Sequence, residues 1–252
     1  TNGQKPGSGP GGGALDRRLW WEVAAIAAAT IALQLGVLLL PGAFGVAPRA
    51  AMLAALMASG VWVALAAPIL AAGACGTLAA ILRGGIVADA TAVLLVVLWL
   101  TRPEATFFAA VEMCCIYASV ALCGVAAGRV ASTPAGRYAA AVVVTVVLLA
   151  VQASPFWLPG VCQFVAQGHK TTVAGIGLRA NPVYGIFSAM AGDSGFVWHF
   201  DAPLMYRITQ MGEDIPVPVV RWYHPVASYL CAAGILAATH LVRRRRIEPR
   251  GT

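Results

Sequence analysis

Between Trp20 and Leu40 the chain carries one charged side chain, Glu22, in a stretch made mostly of Ala, Leu, Ile and Val. A run of about 20 such residues is long enough to cross a bilayer as a helix. Similar runs follow at roughly 51–72, 86–100, 106–127, 138–152 and 225–242. Soluble domains carry about 25% charged residues. Here the charged fraction is 11% and the hydrophobic fraction 60% over 252 residues. No single core hides that much apolar surface, so lipid must be the solvent. The expected fold is an all-α membrane protein with about six transmembrane helices.

The polar stretches order these runs. Residues 1–14 are rich in Gly, Pro and Ser and predict a disordered tail. The run that follows is too long for a signal peptide. Asp16-Arg17-Arg18 before Trp20-Trp21 is an interface anchor. Pro41 is expected to stop the first span. The tight turn Thr101-Arg102-Pro103-Glu104-Ala105 separates spans three and four, and a basic loop at 128–137 separates four and five.

Arginine sets the expected orientation. Arg83, Arg129 and Arg137 fall in loops of one side, with Arg17, Arg18 and Arg243 to Arg246 at the ends; the other side's short loops hold Arg49 and Arg102. Six spans with both termini in the cytoplasm satisfy the positive-inside rule. The net charge of +7 therefore belongs to a membrane face and not to a nucleic-acid groove, because no aromatic and basic residues interleave along the chain. The long segment 154–223 is then extracytoplasmic. In it Lys170, Arg179, Arg207 and Arg221 balance Asp193, Asp201, Glu213 and Asp214. Its apolar pieces, 156–165 and 182–190, are too short to span and read as interfacial or re-entrant helices. Trp157, Phe164, Tyr184 and Phe187 would supply their interface-seeking face. Residues 224–246 form the last span and 247–252 a cytoplasmic tail.

Between spans two and three lies GACGTLAAILRGGIVAD, residues 73–89. Leu78, Ile81 and Leu82 recur at helical spacing. Gly73 and Gly76 loosen the entry, and Gly84-Gly85 reads as a stop. Such a segment is either a small helix at the membrane face, placed to receive a push from a partner, or a plain interfacial turn.

Catalytic chemistry is hard to assemble from these residues. His169, His199, His224, Asp193, Asp201 and Cys162 are the reactive groups of the outer segment and its end. No two of the histidines stand at a local metal-ligand spacing, so no metal, cofactor or catalytic residue is expected. The six cysteines form no disulfide framework. Glu22 is near a span end, whereas Glu112 lies inside span four, where an acid is either hydrogen-bonded across helices or lines a path. No phosphate loop of the GxxxxGK[ST] type is present, so the chain itself does not hydrolyse ATP by that device.

Four stretches together resemble a known family. Ala67-Pro68 leads through Gly76-Thr77-Leu78 to Leu82; Ile116 to Ala141 is a small-residue span, a basic loop and a span start; Asn181-Pro182-Val183-Tyr184 lies in the outer segment; arginines follow the last span. In this order they are similar to the membrane subunit of type-2 ABC exporters. The resemblance implies a multi-pass permease of the bacterial inner (plasma) membrane. It would pair with a second permease subunit and rest a coupling helix, Gly76, Thr77, Leu78, Ile81, Leu82 and Arg83, on a separate ABC ATPase. Glu112 is then a candidate path-lining residue. Partners would be that ATPase, the second permease and the lipid bilayer, with no nucleic acid. The chain departs from the family at Ala71 to Cys75, which carry none of the charges usual before Gly-Thr-Leu, and lacks the lysine usual at the start of span three. Those departures leave open a non-catalytic structural subunit of a larger respiratory or photosynthetic complex. A third reading is a membrane-embedded enzyme using the outer histidines.

Overall fold

The computed structural model describes residues 12–43, 48–101, 106–191 and 220–247. All elements among them are helices: α1 (Gly12–Ala43), α2 (Pro48–Ala72), α3 (Thr77–Thr101), α4 (Phe107–Ala127), α5 (Pro134–Gln152), α6 (Ser154–Gln163), α7 (Gln167–Arg179), α8 (Pro182–Ala191) and α9 (Tyr223–Ile247). Six of them, α1 to α5 and α9, are long and apolar enough to cross a membrane. The chain is an all-α, multi-pass membrane protein.

α2 and α4 lie at the centre. α4 packs on α2, α3, α5, α8 and α9, and α2 on α1, α3, α4 and α5. Leu56, Val63, Leu94, Leu98, Met113, Ile116 and Tyr117 fill the space between them. Side chains interlock there because the alternative, apolar contact with lipid tails, offers no net hydrophobic gain; close packing and interhelical hydrogen bonds must decide. Gly124 and Gly128, one turn apart on α4, supply the closeness. A Cβ on Gly124 would stand 2.8 Å from Pro68 Cδ, and one on Gly128 2.8 Å from the Ala72 nitrogen. Gly128 has φ −60°, so space and not backbone conformation requires glycine there.

Polar atoms stitch the same helices. The carbonyls of Leu56, Gly60 and Ala64 recur every four residues on one face of α2. They accept from Tyr117 Oη (2.8 Å), Gln152 Nε2 (3.1 Å) and Thr145 Oγ1 (3.4 Å). The last bond has a local cause. Pro68 sits inside α2 and has no N–H to return to Ala64. Thr145, from α5, approaches the orphaned oxygen instead. On the other side of α2, Trp62 Nε1 donates to Thr30 Oγ1 of α1 at 3.1 Å. α1 also meets α3, where Gln34 Nε2 donates to Thr91 Oγ1 at 2.6 Å and Thr91 passes its own proton to Val87 O at 2.7 Å.

Several expectations are corrected. The N-terminal tail expected over 1–14 yields to helix from Gly12; residues 1–11 lie outside the described set. Pro41 does not end the first helix, which runs to Ala43. Gly84-Gly85 does not end a helix either. Ala80, Gly84, Val87, Thr91, Leu94 and Leu98 form one unbroken buried stripe along α3, at the spacing of a continuous helix face. A Cβ on Gly84 would collide with Val125 Cγ2 and lie 3.1 Å from Ala67 O, whereas one on Gly85 meets nothing within 4 Å. The pair therefore predicts opposite outcomes. Gly85→Ala raises stability by about 0.5–1 kcal/mol through helix propensity, and Gly84→Ala lowers it. Thermal unfolding of the two single variants in one detergent checks this.

Residues 154–191 hold one more helix than their hydropathy suggests. α7 is nearly neutral in hydropathy, yet it buries Ala174 and Leu178 against Leu158 and Cys162 of α6. Tyr184 does not supply an exposed aromatic face to α8: Val183, Tyr184 and Ile186 are buried, and α8 packs on α4. Of the four expected aromatics Trp157 and Phe164 are exposed, as is Phe156, and the Phe187 side chain lies outside the described set. Asn181 joins this cap to the bundle. It is fully buried, and its Nδ2 lies 2.9 Å from Val151 O, 3.0 Å from Gln152 O and 2.9 Å from Ser154 Oγ, while its Oδ1 accepts from Val183 N at 2.8 Å. It thus caps the N-terminus of α8 and the C-terminus of α5 at once.

Candidate coupling surface

Thr77, Leu78, Ile81, Leu82 and Arg83 belong to the first two turns of α3, with Gly76 just before it, and not to a separate helix. Gly76 O opens the helix by accepting from Ala80 N at 3.0 Å. At 25 residues α3 is about 37 Å long, against roughly 30 Å of hydrocarbon. The excess of about 7 Å corresponds to a little over one helical turn. Leu78 is 69% exposed and Ile81 46%; Leu82 and Arg83 are half-buried.

The turn before them, residues 73–76, gathers the arginines of this end. Arg83 reaches back to donate to Gly73 O at 3.1 Å and pairs with Glu22 of α1. Arg18 also meets Glu22, at 3.3 Å. From the other flank, Arg129 in the α4–α5 loop and Arg137 in α5 both donate to Ala74 O, at 3.2 and 2.7 Å. Burial, and after it the Arg137 charge, hold the Arg129 guanidinium below its ordinary range, with Cys75 opposing. The α4–α5 loop is itself fixed locally. Thr133 Oγ1 accepts from Gly136 N at 3.2 Å and Pro134 begins the helix, the preferred chemistry at a helix start.

That Arg83, Arg129 and Arg137 share a side was readable from loop positions. Their convergence on one four-residue turn was not, since the partners are backbone carbonyls and a carboxylate 61 residues away. Arg83 is consequently committed within the chain and does not stand free for a partner.

The remaining candidates are dispersed. Glu112 is half-buried on α4. His169 lies on α7, His224 and His240 on α9, and His199 lies outside the described residues. No group of three or more His, Cys, Asp or Glu able to hold a metal forms among the described residues. Cys162 is buried in the cap, and burial raises its thiol, with Lys170 opposing.

No family model, curated protein or solved structure matches the chain.

Proposed function

We propose that the chain is the membrane subunit of a transporter, a permease of the ABC-exporter kind that takes its energy from a separate ATPase through the α2–α3 turn and the first two turns of α3. The observation that supports this reading is the exposure of Leu78 and Ile81 beside a turn braced from both flanks by arginines. A braced turn moves as one piece with α2 and α3. A push on it shifts helices in the middle of the bundle and biases two packings, which is what alternating access requires. A second such chain would complete the path.

Leu78 is the cleanest probe, because its side chain is exposed and its replacement leaves the packing intact. Leu78→Asp and Ile81→Asp set a charge in what would be an apolar contact, a cost of about 1–3 kcal/mol, or a loss of roughly five- to a hundredfold in ATPase affinity. Recovery of the ATPase in pull-downs at equal membrane abundance reads this loss; unchanged recovery with both variants contradicts the reading. Orientation has its own test. Ser132 and Gln167 are both exposed. A cysteine label at Ser132 is protected from an impermeant reagent added outside and one at Gln167 reacts. Equal reaction at both sites contradicts a basic cytoplasmic face.

One observation favours the second reading, a non-catalytic structural subunit of a larger membrane complex. Arg83 is already neutralised by Glu22, and Ala71 to Cys75 carry no charge, so the turn offers an ATPase few polar handles. In that case Leu78 and Ile81 pack on a neighbouring membrane subunit.

A further inference from the structure

We infer that the crevice between the α2–α3 turn and the α4–α5 loop binds the phosphate of an anionic membrane lipid through Arg129 and Arg137. Three arginines, Arg83, Arg129 and Arg137, donate to one turn, and Glu22 answers Arg83 and the neighbouring Arg18 only. Among the described residues no carboxylate pairs with Arg129 or Arg137. These two guanidinium groups instead share the single oxygen of Ala74, which sets like charges side by side in a half-buried place. Their Nε atoms are buried and have no acceptor, and each protein hydrogen bond they make comes from Nη1 alone. Nη2 of each makes no hydrogen bond among the described residues and is left as a donor. Two such donors on neighbouring guanidinium groups match a phosphate, which accepts from both at once.

The neighbouring surface says which phosphate. Tyr138 follows Arg137 and reaches over the turn, since a Cβ on Gly73 would stand 2.8 Å from its hydroxyl. Below it Val142 and Val146 continue the same face of α5 at intervals of four, all three exposed. A cationic crevice that opens onto an apolar ridge down a membrane-spanning helix suits an amphiphile: headgroup on the arginines, acyl chain along the valines. A free phosphate ion would use the crevice and ignore the ridge, and an acidic protein loop would have no use for valines at hydrocarbon depth. The inference does not depend on an ATPase.

The test uses the purified full chain in detergent, supplied with phosphatidylglycerol or phosphatidylcholine of equal chain length, or with inorganic phosphate. Thermal unfolding and bound-lipid counting by native mass spectrometry are the readouts. Phosphatidylglycerol is expected to raise the midpoint above phosphatidylcholine, and its preferential binding to fall about fivefold for each arginine lost, from about 1 kcal/mol per basic residue, in Arg129→Gln and Arg137→Gln. Arg179→Gln, in the outer cap, keeps the preference. Equal effects of the two lipids, an undiminished preference in the double variant, or a shift reproduced by inorganic phosphate alone overturns the inference. A photoactivatable phosphatidylglycerol needs no variant. Its adducts on the wild-type chain are expected between Arg129 and Val146, and adducts confined to other helices overturn the inference equally.

Discussion

Asn181→Leu lowers the stability of the chain by roughly 2–6 kcal/mol, the largest loss expected from one polar side chain. The figure comes from the end of α5. A helix leaves its last four carbonyls without partners. Leu149 O is answered by Ala153 N and Ala150 O by Trp157 Nε1. Val151 O and Gln152 O depend on Asn181 Nδ2. Leucine keeps the branched shape but strands both, at about 1–3 kcal/mol each, and removes the cap on Val183 N. Asn181→Asp separates the two halves of the role, because it keeps an acceptor for Val183 N and loses the donors. The midpoint of thermal unfolding in detergent should fall furthest for leucine, less for aspartate, and little for an exposed control such as Gln167→Leu.

Gly128→Val is expected to cost at least about 3 kcal/mol, at the upper end for overpacking. The added Cβ would lie 2.8 Å from Ala72 N and 2.9 Å from Pro68 O. Both are backbone atoms of α2 and have no rotamer to give way. α2 and α4 must separate, and with them the Tyr117–Leu56 bond. Gly124→Val meets Pro68 at the same distance and should behave alike. Gly234→Val, on α9, where a Cβ meets nothing within 4 Å, should change stability little. Folded yield after size-exclusion chromatography orders the three; a Gly128 variant as stable as the Gly234 variant contradicts the α2–α4 packing.

How much of this could be read from the residues depends on where each signal lives. The number and approximate position of the spans follow from hydropathy, because a membrane demands long apolar runs. Helix ends were less legible. Pro41 and Gly84-Gly85 look like stops when local propensity is all one has. In α3 the packing of Gly84 against Val125 overrides propensity, and glycine serves closeness there. Pro68 was visible as a proline late in span two, but not the Thr145 hydroxyl that meets the carbonyl it frees. α7 is not legible in the sequence because its near-neutral hydropathy carries no membrane signal, and it folds by burying a narrow stripe on α6. At the candidate site, the sequence pointed to Gly76 through Arg83 and to the loop arginines. It could not show that Arg83 is held by Glu22 or that Arg129 and Arg137 share Ala74 O, since such contacts exist only once α1, α2, α4 and α5 are assembled.

The central proposal is that this chain works as the membrane half of an ATP-driven transporter. Its most direct test is isolation of the chain from its native membrane under mild detergent, followed by identification and quantification of what comes with it. The account predicts an ATPase bearing a phosphate loop, in stoichiometric amount, recovered with wild type and depleted with Leu78→Asp. Recovery instead of a cofactor-bearing complex with no such ATPase, unaffected by Leu78→Asp, would contradict it.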